Sequence, residues 1–189
     1  QELQKFQNNL KPFPSEEAIK IIERDLGHPI NELFAEFNES PLAAASIAQV
    51  HEATLKSGEN VVVKVVRPNL DKKIKDDVSI LKMIGKVVNT FDADARRLQL
   101  LEMIREYEYV ITSEVDLKKE AGNTIQTGKF FEDSNLLYVP KVYLEYSSNK
   151  TLTLEKIEGI PVTDLKVLED KKVDPVSYTH LTLPTSLIV

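Results

Sequence analysis

The chain has 189 residues and a net charge of −6, because 30 acidic side chains outweigh 24 basic ones. A chain this acidic lacks the basic surface that nucleic acid requires, so no nucleic-acid partner is expected. It has no Cys, which excludes disulfides and Cys-ligated zinc and is typical of a reducing, cytoplasmic compartment. Its six Gly are scattered singly, so neither GxGxxG nor GxxxxGK[ST] can be written.

The first half of the chain is predicted to form helices followed by a β-hairpin. Ser15 as N-cap and Gly27 as the closing residue delimit one helix, and a shorter helical pattern covers residues 30–37. An alternating run within residues 43–54, a polar turn and the β-branched run at residues 61–66 predict two antiparallel strands.

The second half is predicted to be helical and then to return to strands. Helical patterns cover residues 70–88 and 96–131, and the second would reach about 50 Å, a length that favours one kink. Residues 136–144 and 152–157 are predicted to be two further strands. This order of elements predicts an α+β fold with an antiparallel sheet.

The two ends of the chain look unlike the rest. The chain opens at Gln1 within a polar helical pattern, without a Met. Residues 176–189 carry no charged side chain after the charge-dense residues 166–174, and they resemble a translated sequencing adapter. We therefore expect a non-native tail, with a short C-terminal strand as the alternative, and leave this stretch out of the fold prediction.

Lys64 is the first residue whose pattern indicates chemistry. The period of two places Lys64 between Val62 and Val66 on one face of a strand that is otherwise apolar on both faces. A Lys there requires a carboxylate partner, since burial disfavours an unpaired ammonium group. So paired, it would offer the phosphates of a nucleotide a fixed point charge. The alternative is an edge-strand Lys that blocks aggregation.

Two glutamates of the longest predicted helix are candidate partners of Lys64. Its apolar stripe runs through Leu100, Ile104, Tyr107 and Ile111. Glu114 continues that stripe and therefore needs a cation, either Lys118 one turn away or Lys64. Asp116 and Glu120 share another face. Because about 240° of helix separates Glu114 from Glu120, both cannot face Lys64 without helix rotation, which is a switch hypothesis.

A run of small residues precedes the first strand of the hairpin. It consists of Ala43, Ala44, Ala45 and Ser46. One interpretation is a tight packing corner. The other is a loop lying over a ligand, stiffer than a Gly-rich loop because Ala has less φ freedom. Gln49 and His51 share a face of the following strand. A single His is more often a structural residue than a ligand-binding one.

Several motifs together closely resemble the UbiB family of atypical, protein-kinase-like proteins, which are linked to ubiquinone biosynthesis and lipid homeostasis. The motifs are PLAAASIAQVH at residues 41–51, VVVKVVRP at residues 61–68, and EVD with EAGN at residues 114–116 and 120–123. Residues 139–143 and 152–159 fit the family's next strands and hinge. The resemblance covers nearly all of residues 2–165.

This resemblance implies a kinase-like N-lobe that binds ATP with Mg²⁺. Its candidate nucleotide-binding residues are the Ala-rich loop Ala43, Ala44, Ala45 and Ser46, the strand lysine Lys64, Glu114 and Asp116 of the Glu-x-Asp motif, the helix glutamate Glu120, and Glu155 at the hinge. The implied organisation is a helical extension at residues 1–40, the N-lobe at residues 41–165, the start of a C-lobe at residues 166–175, and the tail at residues 176–189.

The same resemblance implies what this chain lacks. Neither a catalytic-loop His-x-Asp nor an Asp-Phe-Gly segment occurs in the sequence, and the family's Lys-x-Gly-Gln segment is absent. Because phosphoryl transfer depends on Mg²⁺ held by such acidic groups, we expect an inactive fragment of a kinase or ATPase whose metal ligands lie in the missing C-lobe. The alternatives are a nucleotide-binding pseudokinase regulator and a helical interaction scaffold without nucleotide. Implied partners are ATP and, through the missing part, quinone-biosynthesis proteins or a lipid surface.

Overall fold

The computed structural model describes residues 11–91, 97, 99–134 and 137–159. The chain divides into two compact units, Gln1–Lys156 and Ile157–Val189. Every helix and strand described below belongs to the first unit, and residues 157–159 are the described part of the second. The first unit combines helices with an antiparallel sheet, which confirms the predicted α+β class.

Five antiparallel strands form one sheet. They are β1 (Phe34–Phe37), β2 (Ala43–Ala44), β3 (Ala48–Leu55), β4 (Asn60–Val66) and β5 (Thr151–Glu155). The order across the sheet is β1-β3-β4-β5, and β2 pairs with the first residues of β3. The predicted hairpin is β3–β4, whose turn contains Gly58 at a φ of 97°. Strand β4 is therefore internal, with a hydrogen-bonded neighbour on each side.

Helix α1 (Ser15–Leu26) packs against one face of the sheet. The strand residues beneath it, Val61, Val63 and Val65, are all 0% exposed, as the period of two predicted. The helix ends at Gly27, whose φ of 77° supplies the left-handed C-cap that was predicted.

The start of α1 differs from the prediction. Pro14, not Ser15, is the N-cap residue, and no side chain caps the helix there. The Ser15 hydroxyl instead donates to the main-chain oxygen of Glu39, 2.5 Å away. A hydroxyl that could cap its own helix is thus used to attach the loop before β2.

The helical pattern predicted for residues 30–37 is correct only in its first half. Helix α2 (Ile30–Leu33) is a single turn, and β1 follows it directly. Phe34 pairs with Leu55 and Phe37 with Ala53 of β3. Phe34 is only 2% exposed, so pairing and burial in the sheet override the local helical pattern.

Three longer helices follow the hairpin: α3 (Leu70–Phe91), α4 (Leu100–Glu114) and α5 (Leu117–Phe130). Helices α3 and α4 approach closely at Gly85, where an added Cβ would lie 2.7 Å from the Ile104 side chain. Helix α5 packs against the second face of the sheet, where its residues Leu117 and Ala121 join a core cluster. The single helix predicted over residues 96–131 is therefore two helices with a complete break, and residue 96 lies outside the described residues.

The last predicted strands are present in shortened form. Strand β5 is Thr151–Glu155, close to the predicted residues 152–157. Of the strand predicted over residues 136–144, the described residues 137–144 form one bridge, between Val142 and Leu154, followed by a 3-10 turn at Leu144–Tyr146, and residue 136 lies outside the described residues. Within the described ranges, no helix is long and apolar enough to cross a bilayer.

Candidate functional site

Lys64 projects from the centre of β4 and meets a carboxylate of α5. Its Nζ lies 2.7 Å from Oε1 and 2.8 Å from Oε2 of Glu120, so both carboxylate oxygens accept from it. Each of the two side chains is 18% exposed. Because β4 is an internal strand, the interpretation of Lys64 as an edge-strand gatekeeper is wrong.

The surface around this ion pair is apolar. Val50 on β3 and Leu152 on β5 lie directly opposite Lys64 in the sheet, so the three side chains share one face. Val50 is 7% exposed and Leu152 is 0% exposed. The Lys64 side chain is thus flanked by two buried apolar side chains and remains partly exposed to solvent.

The first turn of α5 holds Glu120 in place. The main-chain N–H of Leu117 donates to Asn149 O at 3.0 Å, which ties the helix start to the turn before β5. The Asp116 side chain accepts from the N–H of Lys118 at 3.1 Å and is the N-cap of the helix. Asp116 therefore positions the helix that carries Glu120, and among the described residues it forms no ion pair with Lys64.

Glu114 lies apart from the lysine. It is the last residue of α4, it is exposed, and in the described part of the chain it forms an ion pair with neither Lys64 nor Lys118. The break after Glu114 ends the helical phase on which its predicted burial depended. The expectation that Glu114 is an inward carboxylate is therefore wrong for this structure. Competition of the two glutamates for Lys64 stays a prediction, and it would require movement between two helices rather than rotation of one.

The run of small residues is divided between a strand and a turn. Ala43 and Ala44 form β2 and pair with Val50 and Gln49. Residues 45–47, named here the alanine turn, lead into β3 and are closed by a hydrogen bond of 2.8 Å from Ala45 N to Ala48 O.

The side chains of this run are mostly exposed, those of Ala43, Ala45 and Ser46 among them. Exposed small side chains fill no packing corner, so the first interpretation of the run loses its support. A loop lying over a ligand stays the prediction, now narrowed to the alanine turn.

Glu155 lies on the opposite face from Lys64. Its register partner is Val61, which faces α1. Its carboxylate accepts from the Tyr138 hydroxyl at 2.7 Å and from the Lys141 N–H at 3.1 Å. The hydrogen bond to Glu155 raises the pKa of Tyr138. The side chain therefore holds residues 138–141 against β5, and the role of Glu155 at the hinge stays a prediction.

His51 is a buried structural residue, and it shares a strand face with Gln49 as predicted. His51 Nδ1 lies 2.9 Å from Asn38 O, and Gln49 Nε2 lies 2.8 Å from His51 Nε2. Because a carbonyl oxygen only accepts, Nδ1 carries the proton and Nε2 accepts from Gln49. Burial lowers the pKa of His51, although the hydrogen bond to Asn38 acts in the opposite direction.

Arg67 was missed by the sequence reasoning. Its side chain donates to Ala45 O at 2.9 Å and to Lys11 O at 3.1 Å. The available signal was its place three residues after Lys64 in the VVVKVVRP motif.

Among the described residues, no group of three or more His, Asp or Glu side chains is placed to hold a metal ion.

Known proteins are similar to this chain in sequence and in fold. The family model described as the ABC1 atypical kinase-like domain matches residues 5–184. A probable protein kinase UbiB of Pseudomonas aeruginosa strain PAO1 is 48% identical over 173 residues, which are 92% of this chain and 32% of that protein. The protein of the same name from Marinobacter nauticus is 42% identical, over 88% of this chain and 30% of that protein.

A solved structure, the complex of Rv3197 with erythromycin from Mycobacterium tuberculosis, matches with a TM-score of 0.71 and 28% identity. The match covers 82% of this chain and 38% of that one. This chain thus spans about a third of the length of the curated relatives it matches.

The matched family region includes residues 176–184, part of the predicted non-native tail. Residues 160–189 lie outside the described residues, so the origin of that tail and the start of a C-lobe at residues 166–175 stay predictions. The match extends over most of the chain and agrees with its kinase-like fold. The chain therefore belongs to the ABC1 family of atypical kinase-like domains.

Proposed function

We propose that this chain is the nucleotide-binding lobe of an atypical kinase or ATPase and that the phosphates of ATP bind at the Lys64 face of its sheet. The observation that carries the proposal is the contact of Lys64 with both oxygens of Glu120. A lysine and helix-glutamate ion pair of this kind must be in place for phosphoryl transfer in protein kinases. The pair holds the ammonium group in place on an internal strand, where a phosphate oxygen can reach its exposed side.

The alanine turn is the proposed cover for the phosphates. Its small exposed side chains let a ligand approach the main chain closely, and main-chain N–H groups are effective phosphate donors. The main chain at Glu155 is the proposed contact for adenine. Lys64 and the main-chain N–H groups of the turn are donors that phosphate oxygens can accept from. We propose that the ligands of Mg²⁺ lie in the C-lobe. When bound, Mg²⁺ would neutralise charge on the phosphates.

The activity of the whole protein is part of the same proposal. The relatives are named probable protein kinases, which supports ATP-dependent phosphotransferase chemistry. The proposed link to ubiquinone biosynthesis or lipid homeostasis rests on the family resemblance alone. A Cys-free chain supports a cytoplasmic location, with membrane association and quinone-biosynthesis partners assigned to the C-terminal part. The chain by itself is proposed to be inactive, because its sequence lacks the catalytic and metal-binding loops.

Nucleotide titration of the full-length protein tests the proposal. We expect ATP to raise the melting temperature of the wild type, because a ligand present at 100 times its Kd stabilises by about 2.7 kcal/mol. Lys64→Met should abolish that shift. Lys82→Met is the matched control, since Lys82 pairs with Glu108 between α3 and α4, and it should keep the shift.

The remaining outcomes separate the alternatives. Binding without turnover in the full-length protein would identify a nucleotide-binding pseudokinase. The absence of any nucleotide-dependent shift in the wild type would contradict the proposal and favour an interaction scaffold. ATP hydrolysis by this 189-residue chain alone would contradict its proposed inactivity.

A further inference from the structure

Arg67 joins two segments that are distant in sequence. Its Nε donates to Ala45 O at 2.9 Å, and its Nη2 donates to Lys11 O at 3.1 Å. Its main-chain N–H also donates to Ile47 O at 2.8 Å. One residue at the end of β4 therefore holds both ends of the alanine turn and, at the same time, the segment that precedes α1.

A second contact attaches the same segment next to the turn. The N–H of Phe13 donates to Oε1 of Gln49 at 3.1 Å, and Gln49 is fully buried. The Phe13 ring is 8% exposed, and its centroid lies 5.8 Å from the guanidinium carbon of Arg67. Residues 11–13 thus contact the alanine turn through Arg67 and the start of β3 through Gln49.

The bond to Ala45 O has a geometric consequence for the next residue. In a trans peptide the C=O of one residue and the N–H of the next point in opposite directions. Fixing Ala45 O toward Arg67 therefore also fixes the N–H of Ser46, which lies in the same peptide plane and points in the opposite direction. Within the described residues, the Ser46 N–H donates to no protein acceptor, so it is available to a ligand oxygen.

We propose that Arg67 is a positioning residue, which orients the Ala45–Ser46 peptide so that the Ser46 N–H faces a phosphate oxygen, and that residues 11–13 control this orientation through Arg67. The phosphate part rests on the proposed function, whereas the coupling between the two segments does not. A guanidinium suits the role because its fixed fork donates to two carbonyl oxygens at once, which a lysine ammonium does not reproduce.

Hydrogen exchange of the Ala45 amide tests the coupling without any ligand. This amide is bonded to Ala48 O, and we expect Arg67→Gln to speed its exchange about tenfold while α5 amides are unchanged. Arg67→Lys should speed exchange of the Ala45 amide nearly as much as Arg67→Gln does, because an ammonium group does not reproduce the two hydrogen bonds. Arg105→Gln is the matched control, because the Arg105 side chain is 68% exposed and, in the part of the chain that the structure describes, pairs with Glu102 of the same helix. It should have no effect.

A double-mutant comparison tests the role of the N-terminal segment. Phe13→Leu keeps an apolar side chain but removes the ring beside Arg67. We expect Phe13→Leu to speed exchange of the Ala45 amide when Arg67 is present. In the Arg67→Gln background, we expect it to cause no further increase in that exchange rate. Additive effects, or an Arg67 variant that leaves the Ala45 amide unchanged, would overturn the coupling. If Arg67→Gln does not fold, the same comparison with Arg67→Lys decides the question.

ATP binding to the full-length protein tests the phosphate part. We expect Arg67→Gln to weaken ATP about tenfold, as the loss of one charged hydrogen-bonding position predicts. Equal ATP affinity in a variant with accelerated exchange would overturn the role of Arg67 in presenting Ser46. If the wild type itself binds no ATP, the proposed function fails, and the exchange measurements still decide whether residues 11–13 and the alanine turn are coupled.

Discussion

The ion pair between Lys64 and Glu120 is the contact on which the candidate site depends, and its strength can be measured. Lys64→Met removes the charge and keeps most of the apolar stem, and Glu120→Gln keeps the shape of the carboxylate. The two single variants and the double variant form a cycle whose coupling free energy isolates the pair.

The structure sets the expected magnitude of that coupling. Two unit charges about 4 Å apart attract by about 4 kcal/mol at an effective dielectric of about 20. Desolvation and the ordering of a long Lys side chain offset most of this gain. Exposed pairs contribute about 0.2–1 kcal/mol, whereas removing one partner of a fully buried pair costs about 3–5 kcal/mol. With each side chain 18% exposed and two contacts below 3 Å, we expect a coupling of about 1.5 kcal/mol.

Urea unfolding of the four proteins measures the coupling, and two further cycles serve as controls. The Lys82 and Glu108 side chains are each 39% exposed, so their cycle should give about 0.5 kcal/mol. A cycle between Lys64 and Glu114 should give a coupling near zero, because Glu114 is exposed at the end of α4. A negligible coupling for Lys64 and Glu120 would refute the reasoning from burial. Coupling of Lys64 to neither glutamate would also remove the switch hypothesis.

Three further predictions concern stability. Because burial lowers the pKa of His51 below 6.5, the unfolded chain binds a proton more readily, so the free energy of unfolding should fall as the pH drops below 6.5, by at most about 1.4 kcal/mol per pH unit. His51→Gln should flatten that dependence in urea titrations between about pH 5 and 7, and a slope equal to that of the wild type would contradict the assignment. Gly27→Ala should lower the free energy of unfolding by about 1 kcal/mol because its φ is 77°, and an unchanged urea midpoint would contradict the strain. Asp116→Ala should cost about 1 kcal/mol by removing the N-cap of α5, and Asp116→Asn should retain most of the stability if capping is the reason.

The β3–β4 hairpin and the placement of Lys64 were predictable from the sequence. Side chains alternate strictly along a strand, so a dense β-branched run bounded by a polar turn fixes both the element and its two faces. Val61, Val63 and Val65 are fully buried beneath α1, and Lys64 is on the other face. The need for a carboxylate partner followed from the cost of burying a single charge.

Other elements depend on contacts that no local pattern contains. Residues 34–37 have a helical spacing of apolar side chains, but pairing of Phe34 with Leu55 makes them a strand. The role of Arg67 likewise depends on Lys11, which is 56 positions earlier in the chain. Local periodicity carries no information about a partner so far away, and only the folded chain shows it.

The choice between the two glutamates shows most directly why the sequence prediction stopped short. A helical phase can be extended only while the helix continues, and here it ends at Val115, a residue 2% exposed, beside the N-cap Asp116. Helix α5 begins at its own N-cap, so its side chains face directions that are independent of those of α4, and Glu120 contacts Lys64. Since Glu114 and Glu120 belong to separate helices, rotation of one continuous helix could not exchange them at the lysine. An exchange would require α4 and α5 to move relative to each other, with the two residues between them as the point of bending.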